Sequence, residues 1–455
     1  MPARLAAKAA EMLVPRTPPL DAEEVRQYIG AVLQRKGMFD RFLEQADTPL
    51  FAIDSKALAA RATEFRDTFT DALPSARFFY AVKSNNHPEI ARQLVTLGYG
   101  LDVSSGVELE MALECGAHQI VFSGPGKTDD ELELAVKHVR RVTVLIDSFG
   151  ELHRLEQIAR RHDIGIRAGV RLTTQEKGIW RKFGIPISDM PLFFAEAEAC
   201  KHVWLCGIQF HLSWNLSPAN HVAFITRLGR ALQQLREKYR SEVEFVDIGG
   251  GYWPPRGEWL QDQATPRGQV KAAVSPGGLP GQNPTKQQAS SLQEFANSIG
   301  EAVRKHLLSV VDCEIYTEPG RWVCNDAMHV LLTVIDKKAD DIVITDGGIN
   351  IVGWERYEAD YCPIINLSRP SLMEHDCLIA GSLCTPHDIW GYRYFGEDIQ
   401  PGDVLLIPDQ GAYTYSLRQQ FIKSLANVVV CSDGDKDTQA TSRPLVTKTR
   451  SSEVQ

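Results

Sequence analysis

The sequence predicts an α/β fold in which a (β/α)8 TIM-like barrel is joined to a second, mainly β domain. Three observations predict it. Between about Arg77 and Arg321, short strand-like runs alternate with longer amphipathic stretches, the pattern of parallel βα units. Eight such runs can be named, which favours a closed barrel over an open doubly wound sheet. The flanking segments, Pro49–Ile53 and Trp322 to about Val430, are strand-rich and punctuated by Gly, Pro and Asp, with few long helical periods.

In chain order, residues 1–47 read as a leader and helical segment, with Leu5–Val14 able to form a helix. Residues 48–76 supply a strand and a helix that lead into the barrel, the strand belonging with the β domain. The barrel is expected over 77–321. Its strands are Phe78–Val82, Gly100–Val103, Ile120–Ser123, Val142–Asp147, Gly165–Leu172, Leu205–Leu212, Phe245–Ile248 and Glu314–Thr317, and helices such as Pro88–Leu97, Glu151–Arg161 and Ala219–Tyr239 separate many of them. A stretch dense in Pro, Gly and Gln, residues 254–291, interrupts the last barrel unit. It is longer than an ordinary βα connection and reads as a lid or a surface insertion. The C-terminal β domain is expected over 322–431, and the polar residues 432–455 form a disordered tail.

Composition narrows the function. Lys and Arg number 49 against 58 Asp and Glu, a net charge of -9, which is the wrong sign for an electrostatic nucleic-acid footprint. The nine cysteines have no CxxC pair or zinc-site spacing, so reduced thiols in a cytoplasmic protein without a metal are expected. No apolar run approaches the roughly 18 residues of a membrane span, and no apolar core marks a signal peptide.

In a parallel barrel the reactive residues belong at strand C-termini. Lys83 directly follows Phe78–Val82, where its amine enters the barrel mouth and, with its pKa lowered, can form a Schiff base with an aldehyde cofactor. Taken alone it also reads as a solvated strand-end lysine. Gly249-Gly250-Gly251 follows the seventh strand, where backbone can approach a phosphate closely; a tight turn is the plainer reading. Glu318-Pro319-Gly320-Arg321 ends the eighth strand. A carboxylate there can keep a pyridine nitrogen protonated, or can simply pair with Arg321 across the turn. His211 ends the sixth strand and can stack on a flat ring or pack as an ordinary core histidine.

Together these residues resemble the fold-type III pyridoxal-phosphate decarboxylases, the family of diaminopimelate, ornithine and arginine decarboxylases. The resemblance runs in order over roughly Thr48 to Ala426. It rests on Tyr80-Ala81-Val82-Lys83-Ser84-Asn85, Leu101-Asp102-Val103-Ser104-Ser105 with Glu108, Lys182-Phe183-Gly184, Phe210-His211, Asp247–Gly251, Glu318–Arg321, Asp346-Gly347-Gly348, Cys384 and Gly411–Thr414. It implies an alanine racemase-like fold, pyridoxal 5'-phosphate as cofactor, and decarboxylation of an amino acid or amino-acid conjugate through an external aldimine and a quinonoid. Lys83 would hold the cofactor and His211 would stack on its ring. Glu318 would meet the ring nitrogen, with Gly249, Gly250, Gly251, Gly320, Arg321 and Tyr413 around the phosphate. Cys384 would reach the site from the partner subunit of a head-to-tail homodimer and protonate the product carbon.

Two other readings stay open. An amino-acid racemase or epimerase of the same fold type would place arginine at the ring nitrogen, where this chain offers Glu318. A non-catalytic binding protein would lose the lysine or the phosphate contacts.

The sequence departs from the family pattern twice. After Phe210-His211 the family usually has a small residue and then Gly-Ser, whereas this chain reads Leu212-Ser213-Trp214, so the phosphate hydroxyl would come from Ser213. After the cysteine the family's diamine-forming members place Asp or Glu, and this chain has Thr385, with Asp388 three residues on. A distal ammonium buried without a carboxylate partner is costly. Thr385 and Asp388 are therefore the expected substrate contacts, and a larger conjugate, such as a siderophore precursor or a carrier-bound aminoacyl group, is favoured over a free diamino acid.

Overall fold

The computed structural model describes Lys8 and residues 17–274, 284–353 and 359–431. Apart from Lys8, the expected helix Leu5–Val14 lies outside the described residues, as does the tail 432–455.

The chain enters through two helices, Ala22–Leu33 and Lys36–Leu43, then forms β1 (Leu50–Asp54) and the helix Ser55–Ala72. Eight parallel strands follow and close on themselves. They are β2 (Ala76–Ala81), β3 (Gly100–Val103), β4 (Ile120–Phe122), β5 (Val142–Ile146), β6 (Ile166–Leu172), β7 (Val203–Phe210), β8 (Phe245–Asp247) and, after the excursion through β9 (Glu258–Leu260) and β10 (Thr285–Gln287), β11 (Glu314–Thr317). β11 pairs with β8 on one side and β2 on the other, which closes the barrel.

The strand–helix switch is written locally. A Ser or Thr followed three residues later by Glu starts several barrel helices, satisfying amides that the first turn leaves unpaired. Ser105 accepts from the Glu108 amide, Ser148 from Glu151 and Ser291 from Glu294, and Thr128 with Glu131 forms a full capping box. The helix expected over Ala219–Tyr239 instead divides into Ala219–Gln234 and Glu237–Ser241, because Leu235 and Arg236 adopt extended ψ angles of 145° and 140°.

The barrel interior is layered. Phe79, Val121, Leu145, Cys206 and Phe245 form a buried apolar cluster with Tyr316 packed against it. Gly207 lies against the Phe245 ring so closely that a Cβ there would collide with it. Side chains alternate across a strand with a period of two, so the residues two steps further share the inward face. Stepping from Phe79 to Ala81 to Lys83, Val121 to Ser123, Leu145 to Asp147, Gly169 to Arg171, Gly207 to Gln209 to His211, Phe245 to Asp247 and Tyr316 to Glu318 passes from an apolar floor to a polar mouth.

The remaining strands are β12 (Met328–Ala339), β13 (Ile342–Thr345), β14 (Ile365–Asn366), β15 (Glu374–Ala380), β16 (Ile389–Phe395), β17 (Val404–Ile407) and β18 (Asn427–Cys431). They form an eight-stranded sheet, order β13-β15-β16-β14-β17-β12-β1-β18, with β1 antiparallel to β12 and parallel to β18. The two N-terminal helices pack on this sheet, their Val25, Ile29, Phe39 and Phe42 joining Leu50, Leu331, Leu406 and Trp259 in a second apolar core.

Within 254–291, the described part is paired rather than loose. β9 and β10 form a two-stranded sheet. The Leu20 amide donates to Pro284 O at 2.8 Å, and Lys286 N to Pro18 O at 3.1 Å. On the other side, Gln261 N donates to Ala359 O at 2.8 Å, and Tyr361 N to Trp259 O at 2.9 Å. The stretch therefore ties the N-terminal segment to the β domain.

Candidate active site

Lys83 sits in a single 3-10 turn, Val82–Ser84, just beyond β2. Its Nζ donates to Asp102 Oδ2 at 2.7 Å, and the lysine side chain keeps 31% of its surface accessible while Asp102 keeps none. Ser123 Oγ donates to the other oxygen, Asp102 Oδ1, at 2.6 Å. Burial disfavours the ammonium, but Asp102, Glu318 and Tyr413 together outweigh it and hold the Lys83 pKa above its ordinary value. Burial and the charge of Glu318 push Asp102 up to about 6 against the pull of Lys83.

Glu318 is 1% exposed at the end of β11. Its Oε2 accepts from His211 Nδ1 at 3.1 Å and its Oε1 from Gln209 Nε2 at 3.2 Å. Although burial works against the carboxylate, the His211 hydrogen bond and the nearby Lys83 charge hold Glu318 below its usual range. Asp247 moves the opposite way, because burial and the Glu318 charge raise it well above its ordinary value. The two acids are coupled through charge and through a side-chain hydrogen bond, which the protonated Asp247 donates to Glu318. His211 is lowered by burial and is neutral near pH 7.

The glycines are required by crossing chains. Gly249 and Gly251 have φ of 69° and 85°, a region that L side chains rarely adopt. A Cβ on Gly250 would strike the Glu318 carbonyl, and one on Gly251 the Leu212 carbonyl. Gly320 faces the end of β2, where a Cβ would lie 2.9 Å from Ser84 Oγ. The Arg321 guanidinium stacks 4.3 Å from the Trp253 ring centroid and 5.0 Å from that of Tyr413. Tyr413, at φ 58°, is anchored by its amide donating to Ser84 O at 2.7 Å. Ser213 lies half-buried in the loop that meets the glycine turn, where Asn215 N donates to Gly251 O at 2.9 Å.

Thus Lys83, His211, Glu318, Gly249–Gly251, Gly320, Arg321 and Tyr413 converge on the barrel mouth. Cys384, Thr385 and Asp388 lie elsewhere, between β15 and β16 of the β domain. Cys384 is exposed, and Thr385 is half-buried. Asp388 is braced by backbone amides. It is 3% exposed, and its two oxygens accept from Ile349 N at 2.8 Å and Leu383 N at 2.6 Å. The carboxylate ties the β15–β16 loop to the turn after β13, through one amide of each.

Asp102, Ser123, Gln209, Asp247 and Arg171 went unassigned in the sequence. Asp102 and Asp247 stood inside the motifs that carry the resemblance, and an acidic side chain on an inward strand position is the signal that marked them. Among the described residues no cluster of three or more His, Cys, Asp or Glu could hold a metal ion, and no helix is long and apolar enough to cross a membrane.

A closed barrel whose mouth gathers a lysine, an ionised carboxylate across from it and a glycine turn beside an arginine defines a barrel enzyme built around an aldehyde cofactor with an anionic tail. The family model "Pyridoxal-dependent decarboxylase, pyridoxal binding domain" matches residues 60–325. The chain belongs to this family of pyridoxal-phosphate-dependent decarboxylases. It is 25% identical over 397 residues to the L-glutamyl-[BtrI acyl-carrier protein] decarboxylase of Niallia circulans, covering 81% of this chain and 85% of that one. It is 26% identical over 400 residues to the diaminopimelate decarboxylase of Aquifex aeolicus, covering 82% and 84%. Among solved structures, the diaminopimelate decarboxylase of Helicobacter pylori complexed with L-lysine superposes with a TM-score of 0.70 at 22% identity, covering 87% of this chain and 94% of that one.

Pyridoxal phosphate presents an aldehyde, a ring nitrogen and a phosphate, and the residues present fit each. The Lys83 amine is accessible, Glu318 is ionised, and the glycine turn and Arg321 offer backbone and charge. Beside Glu318, the buried Gln209 Oε1 is without a hydrogen-bond partner, which marks the mouth as a place built to receive a polar group.

Proposed function

We propose that this protein decarboxylates an amino acid presented as a conjugate, with its cofactor on Lys83 and Cys384 supplied across a head-to-tail homodimer of cytoplasmic location. The observation that carries the catalytic reading is Glu318, buried to 1% yet kept ionised by His211 and Lys83. Bound pyridoxal phosphate supplies a protonated ring that accepts the electron pair left when a carboxylate departs as carbon dioxide.

The chain's own residues do the rest. Glu318 holds a proton at the ring nitrogen, and His211 lies at its flank. Lys83 Nζ, held by Asp102 Oδ2 at 2.7 Å, would bond the aldehyde carbon once its ammonium, whose pKa this ion pair raises, has given up its proton. Gly249–Gly251, Gly320, Arg321, Tyr413 and Ser213 fix the phosphate end. The exposed Cys384 thiol donates the last proton to the carbon in the partner's barrel, a role that suits a side chain lying outside its own barrel mouth.

For the conjugate, support comes from the loop after Cys384. Thr385 carries no charge, and Asp388 is spent on backbone amides, so this loop offers no carboxylate to a distal ammonium. The similarity to a glutamyl-carrier-protein decarboxylase points the same way. Carbon dioxide release from free ornithine, lysine, arginine and diaminopimelate, set against glutamyl and related aminoacyl thioesters, tests the reading. Turnover of a thioester with little from the free amino acids is expected, and efficient turnover of any free one would reject the conjugate.

A further inference from the structure

The loop that carries Tyr413 is held from the β sheet and also from outside both the barrel and the sheet. Asp409 starts it at φ 56°. Asp409 Oδ2 accepts from Tyr28 Oη at 2.7 Å and from the Arg256 guanidinium at 2.6 Å. Tyr28 belongs to the N-terminal helix Ala22–Leu33, and Arg256 to the stretch that precedes β9. The guanidinium also lies 4.8 Å from the ring centroids of both Tyr28 and Trp259, and those rings meet edge-on at 5.4 Å. A second tie reaches the same residue, since the Asp409 amide donates to His329 Nδ1 at 3.1 Å and Phe39 packs edge-on against that imidazole at 5.1 Å.

Downstream, the loop touches the backbone around Lys83. Asn85 Nδ2 donates to Gly411 O at 2.8 Å, Tyr413 N to Ser84 O at 2.7 Å, and Ser416 Oγ to Lys83 O at 2.9 Å. Tyr413 itself stacks with Arg321 and lies close enough to Lys83 to bias its charge. A left-handed φ at Asp409 and again at Tyr413 costs conformational energy, and such residues persist where their surroundings over-determine them.

We propose that Tyr28 and Arg256 are positioning residues of the cofactor site: the N-terminal helix and the inserted segment clamp Asp409, and the clamp sets where the 409–416 loop presents Tyr413 to Lys83 and Arg321. The inference rests on the reading that Lys83 carries the cofactor. It gives the described part of the insertion a task, in that Arg256 serves the cofactor site through Asp409.

The test uses the full-length protein, stripped of cofactor and titrated with pyridoxal phosphate. Arg256→Met should weaken cofactor binding about tenfold, the scale of one lost hydrogen bond to a charged group. It should also move the pH at which the visible band changes, while Arg256→Lys recovers part of both effects. Tyr28→Phe removes one hydroxyl and should give the same signs at smaller size, so the question stays answerable if Arg256→Met does not fold. Leu155→Ala is the control, as Leu155 is fully buried in the barrel helix Phe149–His162, which makes none of the ties to Asp409, and it should lower Tm without changing affinity or band pH. Variants at Arg256 and Tyr28 that lower Tm yet leave both readouts at wild-type values would overturn the clamp. A wild-type protein that develops no visible band with pyridoxal phosphate would instead overturn the reading of Lys83.

Discussion

The barrel mouth and the β15–β16 loop both carry residues the sequence marked for catalysis, and they treat their polar groups in opposite ways. At the mouth, Lys83, Asp102, Gln209, Asp247 and Glu318 are pressed together, and the four ionisable groups among them shift one another's proton affinity. In the loop, each Asp388 oxygen accepts from a backbone amide, and Cys384 faces outward. A set of coupled acids and bases with unused hydrogen-bonding capacity is the mark of a reacting centre. A carboxylate satisfied by its own loop is a structural brace. In the proposed function the contrast assigns cofactor chemistry to one chain and gives the Cys384 loop to the partner's site.

Mixing experiments separate the two regions most sharply. Lys83→Ala and Cys384→Ala homodimers should each be nearly inactive, and co-refolding them should restore about a quarter of wild-type activity, because half the dimers then carry one intact site. If mixing restores nothing, the loop does not serve the partner's barrel. Within the mouth, Glu318→Gln should cut kcat by about a hundred- to a thousandfold, the range seen when a group that stabilises developing charge is removed, with little change in KM. Steady-state kinetics would decide it, and a loss confined to KM would assign Glu318 to binding alone.

In the loop the expectation reverses. Asp388→Asn should cost roughly 1–3 kcal/mol of stability, because one backbone amide loses its carboxylate acceptor, while KM stays at the wild-type value. Paired urea unfolding and kinetics would show it; a raised KM at unchanged stability would return Asp388 to the substrate. The smallest effect concerns pH. The folded-state pKa of Asp102, pushed up by burial to about 6 from an ordinary 3.8, means the folded chain binds more protons than the unfolded chain between those values. Its contribution to stability is therefore complete below the ordinary pKa and falls as pH rises towards 6. Asp102→Asn should remove that slope from urea midpoints measured across pH 4 to 7, and an unchanged slope would place the titration elsewhere.

Much of this was legible because strand periodicity is local. The eight barrel strands lie within about two residues of the expected runs, and Lys83, His211 and Glu318 stand where the two-residue alternation brings inward positions to the mouth. Pairing over long distances was less legible. That Lys83 would meet Asp102 follows from the adjacency of β2 and β3, and the local motif around Asp102 gives no indication of its partner. β1 lies against β18, with Leu50 opposite Asn427, and no local pattern encodes that register. The backbone ties of Asp388 were illegible for the same reason. Ile349 lies 39 residues away along the chain, and only the folded loop brings its amide to the carboxylate. The stretch from 254 looked like a lid or an insertion because its Pro, Gly and Gln carry no periodicity; its meaning lies in partners at Pro18, Leu20, Tyr28 and Asp409.

The central claim is that the Lys83 amine bonds the cofactor while Glu318 and the glycine turn hold its other ends. Reducing the pyridoxal-phosphate-loaded protein with borohydride and mapping the adduct by peptide mass spectrometry tests it directly. The account predicts one phosphopyridoxyl group on the peptide containing Lys83. An adduct on another lysine, or none, would contradict it.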